Sequence, residues 1–128
     1  MSASAERRAA WCWGRIAETL AVWALRFKGY RIDARNLRTP VGEVDIVARR
    51  GRVVAFVEVK ARRSMDDALA AILPRQRERI VRTAEWYVGA RALPPATVCR
   101  FDAFAVAPWR IPRHIIDAWR ADETAARR

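Results

Sequence analysis

The spacing of apolar residues predicts a long helix at the start of the chain. From Ala5 to Lys28, apolar side chains recur every three or four residues, which is the period of a helix with one buried face. Ser4 is suited to cap its first turn, and Gly29 is suited to end it. The apolar stripe comprises Trp13, Ile16, Ala17, Leu20, Ala24 and Phe27. Glu18 lies off this stripe.

Alternating apolar and polar positions predict strands in the next part of the chain. Tyr30–Leu37 alternates in this way, and the pair Thr39-Pro40 ends the strand. Two runs rich in Val, Ile and Phe then occupy Gly42–Arg63. They flank the segment Arg49–Arg52, which contains a glycine, and this arrangement is typical of a β-hairpin.

The second half of the chain predicts a helix, a strand and a short final helix. The helical period returns over Leu69–Arg91, where Pro74 marks either a helix start or a kink. Val98–Val106 is expected to form a strand and His114–Trp119 a helix, with a frayed tail over residues 121–128. The order α-β-β-β-α-β-α, in a chain of 128 residues, predicts one α/β domain with a mixed sheet flanked by helices.

The predicted hairpin gathers charged residues on one face. With a two-residue turn at Arg50-Gly51, Asp45 would face Phe56 and Glu43 would face Glu58. Because side chains alternate between the faces of a strand, four charged residues share one face. They are Glu43, Asp45, Glu58 and Lys60. The opposite face is apolar and is expected to lie in the core; it comprises Val44, Ile46, Val53, Val57 and Val59.

This charged face suggests a metal site. Carboxylates held close together repel one another, and a divalent cation relieves that repulsion. Mg²⁺ binds through one or two carboxylates and keeps several waters, one of which a phosphate oxygen can replace. Lys60 would lie beside the same ion, and an amine can hold or transfer a proton. Charged strand ends are also typical of a solvated sheet edge, so the pattern alone leaves both interpretations open.

Composition directs attention to an anionic partner. The formal net charge is +11 and the isoelectric point is about 11.3. A polyanion such as nucleic acid would relieve the resulting self-repulsion, with an anionic membrane as the second possibility. An arginine-rich genome also produces such a charge. Lys28 and Lys60 are the only lysines among 25 basic residues, which favours a specific need for an amine at Lys60.

The second predicted helix carries a basic stripe. Arg75, Arg79, Arg82 and Trp86 fall on one narrow strip of its surface, with Gln76 at the border. Guanidinium groups can follow phosphates and an indole can stack on a base. An ordinary solvated helix face explains the same pattern equally well. The six tryptophans of the chain are expected mainly in the core.

Several motifs, taken together and in order, resemble a known family. They are Gly14-x-x-Ala17-Glu18, Asn36-x-Arg38, Gly42-Glu43-Val44-Asp45, Phe56-Val57-Glu58-Val59-Lys60, Arg62, Arg100-Phe101-Asp102 and His114-Ile115. The chain is thereby similar to the YraN family of bacterial proteins and to the PD-(D/E)xK nucleases. The resemblance implies a restriction-endonuclease-like fold, like that of Holliday-junction resolvases.

The resemblance also implies residue roles. Asp45 and Glu58 would be the metal ligands, Lys60 the catalytic lysine, and Glu18 the helix carboxylate that completes the site. Glu43 would support the site from behind the ligands. Contacts to nucleic acid are predicted from the basic stripe and not from the resemblance, which this chain departs from at Arg75-Gln76-Arg77. The predicted contacts are Arg75, Arg79, Arg82, Gln76 and Arg62.

We therefore expect a nuclease that uses Mg²⁺ or Mn²⁺ and acts on nucleic acid, with DNA, including branched or repair intermediates, as the expected substrate. The alternative is a nucleic-acid-binding module that keeps the fold without catalysis. Arg15, Glu18 and Arg26 interrupt the first apolar stretch, so we expect no membrane segment and a cytoplasmic protein. Cys12 and Cys99 lack zinc-site spacing. Whether the chain forms a homodimer is left open by the sequence.

Overall fold

The molecule is built from helices packed on a central sheet. A computed structural model describes residues 2–122, the side chain of Trp11 excepted. Within that range there are three helices and five strands: α1 (Ala3–Phe27), β1 (Arg31–Thr39), β2 (Gly42–Arg50), β3 (Val53–Ala61), α2 (Met65–Ala70), α3 (Pro74–Ala90), β4 (Val98–Val106) and β5 (Arg113–Trp119). The predicted tail lies outside the described residues from position 123 onward.

The five strands form one mixed sheet in sequence order, β1-β2-β3-β4-β5. Neighbouring strands are antiparallel except β3 and β4, which are parallel. A parallel pair requires a crossover connection, and α2 and α3 supply it. The predicted α/β class is confirmed, and the helix-flanked mixed sheet is consistent with the restriction-endonuclease-like fold.

Both faces of the sheet are covered by apolar cores. Along β3, Val54 and Phe56 point into a core beneath α3, whereas Ala55 and Val57 point into a core beneath α1. This alternation follows from the two-residue period of a strand. A sheet covered on both faces leaves its strand ends as the natural place for polar side chains.

The first helix forms as predicted, but its cap and its buried stripe differ. The Ser2 hydroxyl, rather than Ser4, accepts a hydrogen bond from the Ala5 N–H at 3.2 Å. The buried face consists of Ala17, Ala21, Val22 and Leu25, while Ile16, Leu20 and Phe27 are exposed. Apolar residues surround much of α1, so the period alone did not determine which stripe meets the sheet. Within residues 2–122, no helix has the length and apolar character needed to cross a bilayer.

The predicted helix over Leu69–Arg91 is two helices. The chain leaves α2 at Ala71 and re-enters a helix at Pro74, which occupies the first turn of α3. Proline suits that position because its missing N–H has no helical partner there. The proline therefore marks a start and not a kink.

The predicted final helix, His114–Trp119, is wrong. These residues belong to β5, which pairs antiparallel with β4 through contacts such as Phe104 with His114. A segment this short gains little from helix formation alone, and the β-branched pair Ile115-Ile116 favours a strand.

The tryptophans are also less buried than predicted. Trp119 is buried in the core beneath α3, but Trp23, Trp86 and Trp109 are exposed. Trp23 and Trp86 lie on the outer surfaces of α1 and α3, and Trp109 lies in the loop after β4. Helical spacing does not distinguish the inner from the outer surface of a helix.

Candidate active site

The β2–β3 hairpin has a different register from the predicted one. Its turn lies at Gly51-Arg52, and Arg50 pairs with Val53. Gly51 adopts a φ of 61° and holds the first turn position, where a tight hairpin can require a left-handed residue. The predicted turn placed that glycine second. Since the pairing is shifted by two positions, the predicted facing pairs of Asp45 with Phe56 and of Glu43 with Glu58 are both wrong.

Asp45 lies where the two strands separate. Regular pairing of β2 with β3 ends at Ile46 and Val57. One residue further on, the Asp45 carboxylate accepts a hydrogen bond from the Val59 N–H at 2.8 Å. A side chain thus replaces the main-chain partner of β3, which fixes this carboxylate at the open end of the hairpin.

The apolar face of the hairpin changes at the same point. Val44, predicted to share a face with Ile46, instead packs in the core beneath α3, whereas Ile46 lies beneath α1. The strict alternation therefore fails across Asp45. The face that carries the charged residues is not a solvated edge along its whole length. Val47 and Phe56 lie on that same face, further along the hairpin, and both are buried in the core beneath α3.

Glu58 is a buried carboxyl group. Only 4% of its surface is exposed. Gln76 of α3 donates a hydrogen bond from its Nε2 to Glu58 Oε2 at 2.5 Å. Burial first, and then the contact with Asp45 and its negative charge, raise the pKa of Glu58 to about 9, against the smaller opposing effects of Lys60 and Gln76. A second negative charge, on Glu58 beside Asp45, is therefore unfavourable in this buried position.

Asp45, Glu58 and Lys60 line a common cleft beside α3, here called the α3 cleft. It has a volume of about 510 Å³ and is also lined by Thr39, Pro40, Gly42, Glu43, Gln76 and Arg79. Glu43 lies at its rim, where its side chain is 70% exposed and lies 3.9 Å from Arg38. This position is compatible with a supporting role for Glu43 but not with direct contact between Glu43 and Glu58 through strand pairing.

Close packing of α3 against the β1–β2 turn shapes this cleft. A methyl group at Gly42 would lie 2.6 Å from the Thr83 hydroxyl and 2.8 Å from Arg79 Cγ. Distances that short are overpacked, so only glycine lets the helix approach this closely. The approach brings Gln76 and Arg79 to the cleft wall.

Glu18 lies in a neighbouring cleft beside α1, here called the α1 cleft. That cleft has a volume of about 650 Å³, and Asp45 and Lys60 also line it. The Glu18 carboxylate accepts hydrogen bonds from Asn36 Nδ2 at 3.0 Å and from Arg35 Nε at 3.4 Å. Glu18 therefore faces Asp45 and Lys60 as predicted, but it lines a different cleft from Glu58.

A divalent cation fits the chemistry of the paired carboxyl groups. Asp45 and Glu58 supply hard oxygen ligands, and a cation would offset both the burial of the Glu58 charge and its repulsion from Asp45, which together raise the pKa of Glu58. Across residues 2–122, no three His, Cys, Asp or Glu side chains converge as a preformed metal cage. Mg²⁺ needs no such cage, since one or two carboxylates and several waters commonly hold it.

The predicted basic stripe lies on the outer surface of α3. Arg75, Arg79, Arg82 and Trp86 are all exposed, and Arg79 also lines the α3 cleft. The stripe thus begins at the candidate site and continues away from it. The predicted contact Arg62 is exposed just beyond Lys60, at the end of β3.

Comparison with known proteins assigns the family. The model of the uncharacterised protein family UPF0102 matches residues 17–106. The UPF0102 protein amb4503 of Paramagnetospirillum magneticum is 50% identical over 113 residues, which is 85% of this chain and 88% of the relative. The chain belongs to the UPF0102 family. This is the YraN family that its motifs resemble, and that prediction is confirmed.

Other UPF0102 proteins show similar likeness. The protein bll0669 of Bradyrhizobium diazoefficiens is 50% identical over 119 residues, covering 93% of this chain and 90% of the relative. A UPF0102 protein of Parvibaculum lavamentivorans is 52% identical over 112 residues, covering 88% and 84%. The family match spans Glu18, Asp45, Glu58 and Lys60, so the candidate site lies inside the UPF0102 region.

The sequence motifs also contain a second buried cluster, centred on Asp102 of β4. Arg100 donates to both Asp102 oxygens, at 2.9 and 2.8 Å, and to the Tyr30 hydroxyl. His114 Nε2 lies 2.8 Å from Asp102 Oδ2. On the other side of the ring, His114 Nδ1 lies 2.9 Å from the ammonium of Lys28. An ammonium cannot accept a hydrogen bond, so Nδ1 accepts and Nε2 donates to Asp102. His114 therefore has a structural environment, as a lone buried histidine suggests.

Sequence reasoning gave no role to Asn36, although Asn36-x-Arg38 is part of the family resemblance. Asn36 has a φ of 51°, a left-handed conformation that asparagine tolerates better than most residues. Its amide binds Glu18 and links β1 to α1. The signal was present as an asparagine within an otherwise alternating strand.

Proposed function

We propose that this UPF0102 protein is a metal-dependent nuclease that hydrolyses phosphodiester bonds in DNA, with Asp45 and Glu58 as metal ligands and Lys60 as the catalytic lysine. The observation that carries the proposal is the meeting of these three side chains in the α3 cleft, where the β2–β3 hairpin opens. Branched and repair intermediates are the proposed substrates. Cytoplasmic location and a homodimer stay predictions.

The chain's own groups are suited to hold this arrangement. The Val59 N–H fixes the Asp45 carboxylate, and the Gln76 amide fixes the Glu58 carboxyl. When bound, Mg²⁺ or Mn²⁺ would supply charge neutralisation at phosphate and lower the pKa of a coordinated water. Lys60 Nζ, beside both carboxyl groups, can orient a water, accept its proton or neutralise phosphate charge. Glu18 in the α1 cleft is proposed to complete the site from the far side of Asp45.

The proposal is tested with a panel of labelled duplex, branched and single-stranded DNA and RNA in Mg²⁺ or Mn²⁺. Wild type should cleave DNA, and Asp45→Asn should reduce cleavage to background. The same variant should bind DNA at least as well as wild type without metal, because it removes a negative charge near phosphate. Absence of metal-dependent cleavage on every substrate would refute the nuclease proposal.

Lys60 is tested by comparing two substitutions. Lys60→Arg keeps the positive charge but loses an amine that can give up its proton. If Lys60 transfers a proton, Lys60→Arg should be nearly as inactive as Lys60→Ala. Substantial activity in Lys60→Arg would assign the residue to charge neutralisation alone.

The second candidate function is nucleic-acid binding without catalysis. The exposed basic stripe on α3 favours it. Replacing Arg75, Arg79 and Arg82 together should weaken DNA binding and lower the dependence of log affinity on log salt by up to about 2.7, if each arginine contacts one phosphate. An unchanged salt dependence would mean that the stripe is an ordinary solvated surface.

A further inference from the structure

A groove rich in aromatic and basic side chains lies next to the α1 cleft. It has a volume of about 910 Å³ and runs between the first half of α1, the end of β3 and the loop after β4. Trp13 and Ala61 contribute apolar walls, Trp109 stands on the loop side, and Arg62 and Arg63 lie between them. We call this feature the tryptophan groove.

Trp109 has both an exposed side chain and an unfavourable backbone conformation. Its side chain is fully exposed, at 102% of the reference value. Its φ of 62° lies in the left-handed region, which costs a bulky residue energy. Exposure of a large apolar ring beside a strained backbone brings no packing benefit to the described part of the fold. A benefit that comes from a bound ligand explains both features.

The groove is continuous with the candidate active site. Lys60 lines the α1 cleft and the next two residues, Ala61 and Arg62, line the tryptophan groove. Ala10 of α1 lines both. The Arg62 N–H donates to the Val106 carbonyl at 3.1 Å, so the strand that carries these residues is fixed as it leaves the site.

Charge defines what the groove can accept. Arg62 and Arg63 are exposed and suit a phosphate backbone, while the indole of Trp109 suits the flat face of a base. Glu6 lines the α1 side of the groove, which directs phosphates towards the arginines and away from the helix. Bases within a duplex are stacked on one another, so only an unpaired base offers a free face.

We propose that the tryptophan groove binds an unpaired nucleotide of a DNA strand that continues from the α3 and α1 clefts, with Trp109 stacking on its base. The proposal deepens the proposed nuclease function and rests on it for the position of the strand. It specifies the substrate class as DNA in which duplex adjoins an unpaired segment.

The test measures DNA binding without metal, so that cleavage plays no part. Fluorescence anisotropy compares a blunt duplex with the same duplex carrying a single-stranded extension. Trp109→Ala should weaken binding of the extended DNA by about fivefold to one-hundredfold, since stacking on an aromatic ring contributes that much per base. Trp109→Ala should leave binding of the blunt duplex unchanged. Abasic sites in the extension should abolish the difference in affinity between wild type and Trp109→Ala.

Two further variants separate stacking from other effects. Trp109→Phe keeps an aromatic face and should retain most of the affinity for extended DNA. Trp23→Ala removes another exposed tryptophan, on the second half of α1, and should bind both DNAs like wild type. Thermal melting of each variant confirms folding, which an exposed side chain such as Trp109 should not affect.

The outcomes distinguish this proposal from the proposed activity. Loss of extension binding in Trp109→Ala, with no cleavage by wild type, would support the groove and refute the nuclease. Cleavage by wild type, with unchanged extension binding in Trp109→Ala, would overturn the groove alone. Trp109-dependent binding to anionic phospholipid vesicles without any effect on DNA would also overturn it. Absence of binding to either DNA would overturn the groove, whereas the nuclease proposal is decided by the cleavage panel in Mg²⁺ or Mn²⁺.

Discussion

Two buried acids in the same sheet have opposite environments. Asp102 is fully buried, and although burial alone would raise its pKa, hydrogen bonds from His114, Arg100 and the Asp117 N–H lower it overall. Glu58 is almost as buried, but it lies against another carboxylate, Asp45. Burial and this neighbour together raise the pKa of Glu58 to about 9. The fold thus neutralises Asp102 with its own groups and leaves Glu58 and Asp45 incompletely neutralised.

The difference separates structural from functional use of a buried charge. The Asp102 cluster joins β4, β5 and the end of α1 and needs nothing from outside. The Asp45–Glu58 pair lies at a cleft open to solvent and would gain from a cation. Perturbed carboxyl groups in clefts are frequent in functional sites, whereas satisfied networks are frequent in cores.

The largest expected effect comes from removing Asp102. Asp102→Ala leaves Arg100 and His114 buried without their acceptor, and loss of one partner from a buried ion pair costs about 3–5 kcal/mol. Urea denaturation should show this loss in the free energy of unfolding. At about pH 4, where the Glu58 carboxyl group is neutral in the unfolded chain as well, Glu58→Gln should change that free energy by less than about 1 kcal/mol, because it replaces a neutral carboxyl group with a neutral amide. Equal losses in both variants would remove the distinction between the two acids.

The two acids should also give opposite dependences of stability on pH in the metal-free protein. Asp102 has a lowered pKa, so its contribution is present above the ordinary value of 3.8 and is lost as the pH falls through the folded pKa. Glu58 has a raised pKa, so its contribution is present below 4.5 and is lost as the pH rises towards about 9. Each full proton changes the unfolding free energy by about 1.4 kcal/mol per pH unit.

Unfolding titrations in a chelator measure both slopes. Between pH 4.5 and 9, the wild type should lose stability relative to Glu58→Gln, whose slope should be flatter. Identical slopes in these two proteins would mean that Glu58 has an ordinary pKa.

The smallest expected effect concerns Gln76. Its amide is the neutral donor to Glu58, and Gln76→Leu should cost about 1 kcal/mol of stability. It should also weaken metal binding by about tenfold, because groups that orient metal ligands contribute that much. Glu78→Leu, two residues further along α3, serves as a control. Metal affinity as strong in Gln76→Leu as in wild type would show that the amide does not orient Glu58.

The strand period was enough to bring the candidate site residues of the hairpin together. Asp45, Glu58 and Lys60 meet even though the predicted pairing was shifted, because a shift of two positions preserves side-chain parity where the strands pair regularly. Val44 is the exception, because the alternation fails across Asp45. The turn itself was not predictable from the pattern, since the segment Arg49–Arg52 accommodates the glycine at either turn position. Only the observed pairing of Arg50 with Val53 distinguishes them.

Features that depend on long-range packing were beyond the sequence pattern. β5 forms because its residues pair with β4, and the sequence of His114–Trp119 alone does not show that β4 is available as a neighbour. The hydrogen bond from Gln76 to Glu58 requires the close approach of α3 at Gly42. Trp109 could not be recognised as exposed, because a single tryptophan between prolines has no period.

The central claim is that Asp45 and Glu58 form a binding site for a divalent cation. Isothermal titration calorimetry with Mg²⁺ and Mn²⁺ tests it directly, independently of any substrate. Wild type should bind the ion, Asp45→Asn and Glu58→Gln should each abolish binding, and Glu85→Gln, which alters an exposed carboxylate on α3, should bind like wild type. No binding by wild type, or the same affinity in Asp45→Asn as in wild type, would contradict the claim.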